Sequence, residues 1–498
     1  MSRAPKRFVS LKAIRIATYL LPPLGLVLLW RSSLVGRVRK IFGTILILLL
    51  SLLYLCAVPG FLYYVAGIDI VEWRGGYMPV ITFSKTLPDY NRLEASRATQ
   101  AKSTKIPPAE KGSAYWTSFR GPKRDGHYDG PPILTQWPKD GLPLLWRQPI
   151  GGGYASFIVA EGRAYTMEQR RDFELVSAYD ESTGRELWTN AWADKFEEPI
   201  SGEGPRATPT YDAGRIYALG GLGELRCLDA ASGRLIWRRS VIAENHGDVP
   251  SYGSAASPLI VRNEVIVLPG GSNGASVVAY DKLSGASIWK SLSEKQAYTS
   301  PMLVNLAGRE QVLIVSARSV TGILAENGKV LWHLPWLVDN DNAIAQPVLL
   351  GTNRFLLSAG YGKGCTAFEV TQTNGTFFAR MVWRNAHLKN KFTSSVFYSG
   401  CVYGLDEDIL VCLDAQTGER KWKDGRYGYG QLLLADVHLI LLGADGVLAL
   451  VNASPVKYEE LARFQALHGK TWDHPAIADG KIFVRNTVEM ACFDISPR

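Results

Sequence analysis

The 498-residue chain repeats one short phrase between residues 146 and 475, and this repetition limits its possible folds more than any other feature. The clearest copies are Ala178-Tyr-Asp-Glu-Ser-Thr-Gly-Arg-Glu-Leu-Trp188, Cys227-Leu-Asp-Ala-Ala-Ser-Gly-Arg-Leu-Ile-Trp237, Ala279-Tyr-Asp-Lys-Leu-Ser-Gly-Ala-Ser-Ile-Trp289 and Cys412-Leu-Asp-Ala-Gln-Thr-Gly-Glu-Arg-Lys-Trp422. Weaker copies end at Trp332, Trp383 and Phe464, and an isolated Trp146 precedes the series. These aromatic residues lie 39 to 52 residues apart, a period typical of radial or solenoid repetition.

Each position of the phrase has a physical role. The small residue ends a strand, the Asp can bond its own backbone to start a turn, and the Gly supplies the positive φ that closes the turn. The Trp then lies on the next strand, where it can bury a large ring against the adjacent unit. Leu324, Glu369 and Val451 replace the Asp in three copies, and unit boundaries are hardest to place there.

A second segment recurs in every unit and precedes a turn and a hydrophobic strand such as residues 215–219. Its first residue is Ser156, Thr208, Ser257, Ser300, Gln346, Ser394, Gly430 and His474 in successive units. One unit therefore holds four short strands in ~45 residues, which is the size of a propeller blade. The sequence predicts an all-β fold, a β-propeller of four-stranded blades with tryptophan docking motifs.

The two ends of the repeat region predict how the ring closes. Trp146 has no phrase before it, while Cys492-Phe-Asp-Ile-Ser has no Trp after it. Pairing these halves completes an eighth blade, whose outer strand comes from residues 144–148. Such closure leaves no exposed central edge strand. A linear β-solenoid is the alternative, and the split terminal unit argues against it.

The positive charge of the chain is confined to its N-terminal segment. Residues 1–67 carry nine Lys or Arg and no acidic residue, which equals the formal net charge of +9, so residues 68–498 sum to zero. The predicted propeller has no basic bias, and a nucleic-acid partner loses its main support.

Two apolar stretches lie in this basic segment, at residues 16–30 and 41–67. The second has 27 uncharged residues, enough to span a bilayer, whereas the first is short for a span and contains Pro22-Pro23. Four positive charges between them place residues 31–40 in the cytoplasm and later residues outside. We predict a membrane anchor of one or two transmembrane helices at 1–67, an extracytoplasmic linker at 68–113 and a propeller at 114–498, in a bacterial inner membrane with the propeller on the periplasmic side.

The six cysteines do not form the dense set of a disulfide scaffold. Cys227, Cys412 and Cys492 fill the small-residue position of the phrase, where a buried thiol acts as a compact apolar group. Cys401 and Cys412 flank one predicted hairpin and, in an oxidising compartment, could form a cross-strand disulfide.

The motifs resemble those of a known family. The repeated phrase is similar to the docking motif of pyrroloquinoline-quinone-like propellers, found in eight-bladed quinoprotein alcohol dehydrogenases and in the non-catalytic lipoprotein of the outer-membrane assembly machine. Residues 116–126, 204–209 and 252–258 are also similar to segments of quinoprotein-like propellers. The resemblance covers residues 116–498 and implies the fold, but that family contains both enzymes and binding scaffolds.

The resemblance raises the question of a quinone cofactor. Binding it would require cationic or amide donors for three carboxylates and an oxygen-rich cage for a divalent cation. In the enzymes an Asp acts as base and many have two adjacent cysteines, a pair that does not occur in this sequence. Candidate ligands on the segments that lead into the inner strands are Glu203, Arg206, Lys391, Asp473 and His474.

Each candidate has a simpler interpretation. Glu203 and Arg206 are three residues apart and can pair with each other, and His474 can line the channel mouth. In a quinoprotein, Arg206 or Lys391 would pair with a cofactor carboxylate, and Asp473 or Glu203 would hold calcium or act as base. No residue spacing in the sequence matches a known metal-binding motif.

We therefore hypothesise a membrane-anchored extracytoplasmic propeller that works by binding an envelope protein or peptide and carries no cofactor. The alternative is a dehydrogenase that oxidises an alcohol or sugar with pyrroloquinoline quinone and calcium. A hydrolase or a polysaccharide-binding module is a further possibility, although the sequence contains no His-Glu-x-x-His, Gly-x-Ser-x-Gly or phosphate-loop motif.

Overall fold

The computed structural model describes residues 10–64, 69–74, 78–82, 88–100 and 115–497. The chain divides into two compact units. The N-terminal helices belong to the first unit, and residues 86–498 belong to the second.

The first unit contains α1 (Leu11–Leu20), α2 (Pro22–Arg31) and α3 (Arg37–Tyr64). A proline at the start of α2 separates it from α1, because proline fits the first helical turn but cannot continue a preceding helix. Within the described residues, the α3 segment Arg37–Leu62 is the one helix long and apolar enough to cross a membrane, with a mean hydropathy of 2.7. The predicted 16–30 stretch is thus divided between two short helices.

Part of the predicted linker is structured. Strands β1 (Asp69–Arg74) and β2 (Met78–Thr82) pair with each other, and α4 spans Tyr90–Thr99. Helix α4 packs on the propeller, where Arg97 donates to Glu186 over 3.0 Å and to the carbonyl of Pro149 over 2.7 Å. The sequence pattern does not predict this helix, since its one buried apolar residue gives no periodic signal. Residues 101–113 lie outside the described part.

Residues 115–497 form eight antiparallel blades of four main strands each. Two strands precede the first blade, β3 (His127–Tyr128) and β4 (Leu144–Pro149). Blade 1 contains β5 (Ile158–Ala160), β6 (Arg163–Arg170), β7 (Phe173–Asp180) and β8 (Glu186–Trp192), and a hairpin of β9 (Glu197–Glu198) and β10 (Gly202–Glu203) follows it. Blade 2 contains β11 (Thr210–Asp212), β12 (Arg215–Leu219), β13 (Glu224–Asp229) and β14 (Leu235–Ser240), followed by α5 (Val241–Glu244). Blade 3 contains β15 (Leu259–Val261), β16 (Glu264–Val267), β17 (Val277–Asp281) and β18 (Ser287–Ser291).

The remaining blades follow the same order from the inner to the outer strand. Blade 4 contains β19 (Met302–Leu306), β20 (Arg309–Val315), β21 (Ser319–Ile323) and β22 (Val330–Pro335), followed by a 3₁₀ turn (Asp339–Asp341). Blade 5 contains β23 (Val348–Leu349), β24 (Arg354–Ala359), β25 (Gly364–Thr373) and β26 (Thr376–Asn385). Blade 6 contains β27 (Val396–Tyr398), β28 (Cys401–Asp406), β29 (Ile409–Asp414) and β30 (Arg420–Arg426). Blade 7 contains β31 (Gln431–Ala435), β32 (His438–Leu442), β33 (Val447–Asn452) and β34 (Glu460–Gln465), and blade 8 contains β35 (Ala476–Ala478), β36 (Lys481–Arg485), β37 (Glu489–Asp494) and β4.

The ring closes as the sequence predicted. Strand β4 is the outer strand of blade 8, and Trp146 lies opposite Cys492 in the β4–β37 pair. Both chain ends thus contribute to one blade, and the fold is a closed ring rather than a solenoid.

The repeated Trp and Gly contact each other across neighbouring blades. The indole nitrogen of Trp188 donates over 3.1 Å to the carbonyl of Ala230, in the turn of the next blade. A Cβ atom on Gly233 in that turn would lie 2.4 Å from the Trp188 ring, and Gly233 also has φ +71. The glycine is therefore required both by the turn and by the tryptophan that covers it.

The copies without Asp differ from one another. The turn at Leu324 keeps the usual backbone bonds, because Gly328 donates to the carbonyl of Leu324 over 2.9 Å. At Glu369 the turn is missing, and β25 and β26 continue as ten-residue strands to the pair Thr373–Thr376. Loss of the Asp is tolerated where the backbone can make the turn alone.

Cys401 and Cys412 are not directly opposed in blade 6. Cys401 pairs with Asp414, and Cys412 pairs with Tyr403. Both thiols are buried and neither forms a disulfide. The predicted cross-strand disulfide is absent from the structure. In this register Cys401 and Cys412 belong to two different residue pairs, and the pair Val402–Leu413 lies between them.

A circumferential hydrogen-bond ring joins the inner strands, and we call it the belt. The amide of Ser156 donates to the Thr208 hydroxyl over 2.9 Å, and the amide of Thr208 donates to the Ser257 hydroxyl over 3.0 Å. Corresponding bonds from a backbone amide to a side chain join blade 3 to blade 4, blade 4 to blade 5, and blade 5 to blade 6. The belt residues are Ser156, Thr208, Ser257, Ser300, Gln346, Ser394, Gln431 and His474.

The belt corresponds to the second recurring segment of the sequence, with one correction. In blade 7 the belt residue is Gln431 rather than Gly430, as its position four residues before the end of the inner strand shows. The Gln431 amide nitrogen donates to the carbonyls of Phe392 and Trp472, so it bridges blades 6 and 8. The Ser156 hydroxyl donates to the carbonyl of His474 and completes the circle.

Removing one belt acceptor should destabilise the ring. The substitution Thr208→Val keeps the side-chain shape but leaves the buried amide of Ser156 without an acceptor, at an expected cost of about 1–3 kcal/mol. The control Thr373→Val, at an exposed strand position, should be nearly neutral. Chemical unfolding of the full chain in detergent would measure both. Equal unfolding midpoints would contradict a stabilising role for the belt.

Candidate functional site at the channel mouth

The inner ends of the blades enclose a cavity of about 210 Å³ at the mouth of the central channel, which we call the cup. One position per blade, two residues before each belt residue, points to this mouth. That position holds Tyr154, Arg206, Ala255, Tyr298, Ile344, Phe392, Tyr429 and Trp472 in blades 1 to 8. All of them except Tyr429 line the cup. The belt thus sets the positions of the lining side chains.

The wall of the cup is largely aromatic. The ring of Trp472 lies 4.7 Å from that of Phe392 and 5.5 Å from that of Tyr154, centroid to centroid. Across the mouth, Tyr252 and Tyr298 make an edge-on contact at 5.7 Å. Such pairs are individually worth about 0.5–1.5 kcal/mol beyond their burial, so they hold the wall in place.

Two polar side chains of the lining, Ser394 and Gln431, are already used within the protein. The Ser394 hydroxyl accepts the amide of Gln346 over 3.0 Å. Gln431 donates to the carbonyls of Phe392 and Trp472. Because the belt uses these groups, the cup presents mainly apolar surface to a ligand.

The floor of the cup is made by the segment that leads into blade 1. We call residues 115–128 the plug. Phe119 of the plug lines the cup, and its ring lies 5.9 Å from that of His474. At one end, Trp116 exchanges backbone bonds of 3.0 and 2.8 Å with Val159 of blade 1. At the other end, β3 pairs in parallel with β31 of blade 7.

Arg124 fixes the plug to one side of the ring. Its guanidinium donates to the carbonyl of Ser257 over 3.0 Å and to that of Pro301 over 2.9 Å, and it also contacts Pro258 and Thr210. Burial lowers the pKa of Arg124 to about 9. The inner-strand carbonyls of blades 3 and 4 thus supply the partners that a buried cation requires.

Arg120 fixes the plug to a second part of the ring, at blade 6. It donates to the carbonyl of Ser394 over 3.1 Å and to that of Ser395 over 2.9 Å, both in blade 6. Burial lowers its pKa to about 10, although Asp125 opposes this shift. The two arginines thus tie the plug to the inner strands of blades 3, 4 and 6.

The rim carries the β9–β10 hairpin. Ile200 at its tip lines the cup while remaining 70% exposed. The Tyr154 hydroxyl donates to the carbonyl of Ser201. Arg206 pairs with Glu198 over 3.3 Å and donates to the carbonyl of Gly202 over 2.7 Å. These contacts hold the hairpin at the mouth.

The five residues proposed from the sequence do not form one group. Arg206 and His474 line the cup. Glu203 accepts hydrogen bonds from Tyr90 and Gln169 rather than pairing with Arg206. Burial raises the pKa of Glu203.

Lys391 and Asp473 are not among the residues that line the cup. Lys391 donates to the Tyr429 hydroxyl over 2.7 Å and pairs with Glu407 over 3.3 Å. Burial opposes its charge, but Tyr429 and Glu407 hold the pKa of Lys391 above its usual value. Burial lowers the pKa of His474 to about 3, and its ring nitrogens lie 2.7 Å from the carbonyl oxygen of Pro475 and 3.0 Å from that of Leu432.

Asp473 is buried at the seam between blades 8 and 1. Its Oδ1 lies 3.6 Å from Nε of Arg485, and neither carboxylate oxygen accepts a hydrogen bond from another side chain of the described residues. Arg485 donates to Gly151 over 3.0 Å and to Met167 over 2.7 Å. Burial raises the pKa of Asp473 to about 7, although Arg485 opposes the shift. The residue therefore belongs to the seam rather than to the cup.

These residues do not fit a tricarboxylate quinone with a metal ion. Arg206 is the one cation among the described lining residues, and it is already paired with Glu198, as Lys391 is with Glu407. The described ranges contain no cluster of three His, Cys, Asp or Glu residues able to hold a metal. The floor position is taken by Phe119.

The sequence predicted the recurring segment but not the cup. The signal lay two residues before each belt residue, where five of the eight residues are aromatic. It is visible only after the blades are aligned on their inner strands, because this position does not repeat one residue type.

Comparisons with known proteins agree with the fold. The family model described as outer membrane protein assembly factor BamB matches residues 172–424. The chain is similar to the outer membrane protein assembly factor BamB of Moranella endobia, with 22% identity over 274 residues. That alignment covers 50% of this chain and 62% of the relative, so the chain spans less than two thirds of the relative's length.

Two solved structures share the architecture. BamB from Moraxella catarrhalis is 17% identical and matches with a TM-score of 0.52 over 69% of this chain and 95% of that chain. Quinohemoprotein alcohol dehydrogenase from Comamonas testosteroni is 13% identical and matches with a TM-score of 0.54 over 82% of this chain and 85% of that chain. At these identities, both similarities concern the fold alone.

The plug should stabilise the propeller through Arg124. The substitution Arg124→Met leaves buried carbonyls of two blades without a donor, and we expect a loss of at least about 2 kcal/mol. Faster amide hydrogen exchange at residues 257–260 should accompany it. The neighbouring Lys123→Met is the control, because that side chain is 70% exposed. Unchanged stability and exchange in the Arg124 variant would contradict the role of the plug.

Asp473 should give the seam a pH-dependent stability. A folded-state pKa of about 7, above the unfolded value, means that its contribution is fully present below about pH 4. That contribution is lost as the pH rises to about 7. Asp473→Asn should therefore gain about 2–3 kcal/mol relative to the parent chain between pH 5 and pH 8. Unfolding at both pH values measures this gain, with the exposed Asp129→Asn as control. A pH-independent difference would disprove it.

Proposed function

Because the chain belongs to the family described as outer membrane protein assembly factor BamB, we propose that it is a protein-binding scaffold of the bacterial cell envelope. The observation that carries this proposal is the cup, an aromatic cavity with a closed floor on one face of a rigid ring. Aromatic side chains at the centre of a concave surface are typical of the residues that dominate protein–protein binding. The partner is a protein or peptide of the envelope.

We further propose that the chain is anchored in the inner membrane, with its propeller on the periplasmic side. The apolar length of α3 supports a membrane span. Arg31, Arg37, Arg39 and Lys40 lie at its N-terminal end, and the acidic Asp69 and Glu72 follow its C-terminal end. This asymmetry favours a cytoplasmic start and an extracytoplasmic propeller.

The alternative of a quinoprotein dehydrogenase has less support. The cations that would bind the cofactor carboxylates are paired with Glu198 and Glu407. Incubation of the full chain with pyrroloquinoline quinone and calcium tests this alternative through absorbance and dye-linked alcohol oxidation. Stoichiometric uptake with turnover would favour the enzyme over the scaffold.

A photocrosslinker at the rim should capture the partner. We expect p-benzoyl-phenylalanine in place of Ile200 to give a discrete crosslinked protein in intact cells, because this side chain is 70% exposed beside the cup. The matched control replaces Val456, which is apolar and 83% exposed in the β33–β34 connection of blade 7. Mass spectrometry of the membrane fraction identifies the products.

The two positions separate specific from general capture. An envelope protein crosslinked at position 200 and not at position 456 is the expected result. The same products at both positions, or no product at position 200, would contradict a binding face at the mouth.

A further inference from the structure

We propose that α1 and α2 form a re-entrant hairpin, which enters the bilayer from the cytoplasmic side, turns near its middle and returns to the same side. Its binding partner is then the acyl chains of the cytoplasmic leaflet. This inference rests on the proposed inner-membrane anchoring and goes beyond it, because it assigns residues 11–31 to one leaflet and the residues before α1 to the cytoplasm.

Helices α1 and α2 pack against each other as an antiparallel pair. A Cβ atom on Gly25 would lie 2.6 Å from the Cα atom of Thr18, so the two backbones nearly touch at this level. Farther from the turn, Ile14 and Leu29 are buried in one apolar cluster. On each helix these two contacts are four residues apart, which is the spacing of a hairpin with its tip at Leu21.

The hairpin lies along α3, and its tip reaches only part of the way along that helix. At the open end of the hairpin, the indole nitrogen of Trp30 donates to the Thr44 hydroxyl over 3.0 Å. Near the tip, the Tyr54 hydroxyl donates to the carbonyl of Tyr19 over 2.5 Å. Within α3 these two contacts are ten residues apart, about 15 Å along the helix axis. The open end therefore lies beside the start of α3, and the tip lies roughly halfway across a ~30 Å apolar core.

The length of the two helices favours a turn inside the bilayer over a span. Each helix has ten residues, about 15 Å in length. A span needs about 20 apolar residues, whereas an apolar stretch of roughly 10–14 residues is more typical of a re-entrant or interfacial segment. Their outward side chains include Ile16, Leu24 and Val27, each about half exposed. Lipid acyl chains are the surroundings that such apolar faces require.

The backbone of the tip satisfies its N–H donors without water. The amide of Leu21 donates to the carbonyl of Ala17 over 2.8 Å, and the two prolines that follow have no N–H. The amides of Leu24 and Gly25 then donate to the Leu21 carbonyl over 2.9 and 3.1 Å. A helix that starts in water usually has a Ser, Thr, Asp or Asn cap, but α2 starts at Leu21 with no side-chain cap bond. This tip suits hydrocarbon, where an unpaired donor is costly.

The charges of the hairpin place its open end at the cytoplasmic surface. Lys12 lies in the first turn of α1 and Arg31 ends α2, so both belong to the open end. Arg15 lies nearer the tip, but the Cα–Cβ bonds of a helix tilt toward its N-terminus, which in α1 is the open end. Its long side chain can therefore carry the guanidinium toward the same surface. Positive charge concentrated at one end favours the cytoplasmic side of the membrane.

Labelling of single cysteines from each side of the membrane tests the hairpin. Four full-length variants place a thiol at an exposed position before α1, at the tip, between α2 and α3, and on the propeller: Ser10→Cys, Leu21→Cys, Ser33→Cys and Thr373→Cys. A membrane-impermeant polyethylene glycol maleimide is applied to spheroplasts, to inside-out membrane vesicles and to protein denatured in SDS. Gel shifts measure the reaction, and the parent chain gives the background from its native cysteines.

The hairpin predicts a different result at each position. Thr373→Cys should react in spheroplasts, whereas Ser10→Cys and Ser33→Cys should react only in inside-out vesicles. Leu21→Cys should react at least tenfold more slowly than these in both preparations, because its thiol lies among acyl chains. All four variants should react in SDS, which establishes that every thiol is competent.

Two results would overturn the hairpin and leave the anchoring standing, provided that Thr373→Cys still reacts in spheroplasts. Reaction of Ser10→Cys in spheroplasts, with Ser33→Cys protected there, would show that residues 11–31 span the membrane. Rapid reaction of Leu21→Cys in inside-out vesicles would place the tip at the membrane surface. Protection of Thr373→Cys in spheroplasts, or release of the chain from membranes by sodium carbonate, would instead reject the anchoring on which the hairpin rests.

Discussion

The belt is the interaction on which the rest of the propeller depends. The inner strands of blades 1 to 5 each donate a backbone amide to a side chain of the next blade, as Ser156 does to Thr208, and side-chain bonds of Gln431 and Ser156 link the remaining blades. A buried amide without an acceptor is costly, and the ring is therefore favoured only when it is complete. The split eighth blade supplies that completion, because Trp146 and Cys492 bring both chain ends into one sheet.

The belt also explains why the two ends of the channel differ. Its side chains take up the inner-strand amides, while carbonyls such as those of Ser257 and Ser394 face the axis and remain available. The plug meets these carbonyls with Arg124 and Arg120, donor-only groups that suit a ring of acceptors. On the mouth side the belt engages Ser394 and Gln431, and aromatic residues cover much of the surface. One set of bonds thus creates a sealed floor and an apolar cup.

The sequence revealed the features that repeat and missed those that do not. Trp188 and Gly233 recur because each blade must dock on the next, so the fold and its closure could be predicted. The lining position changes from Tyr154 to Arg206 to Ala255, because a binding surface differs from blade to blade. The bonds from Arg124 to the carbonyls of Ser257 and Pro301 join residues 133 and 177 positions apart, and no local pattern records them.

The same fold can hold a planar cofactor or bind a partner. The residues that lie on the propeller axis decide which of the two fits. A cofactor on the axis requires unpaired cations and open depth, whereas here Phe119 fills the floor and Arg206 is paired with Glu198. What remains is a shallow aromatic surface held by a rigid belt. Such a surface loses little conformational entropy on binding, which favours association with a protein.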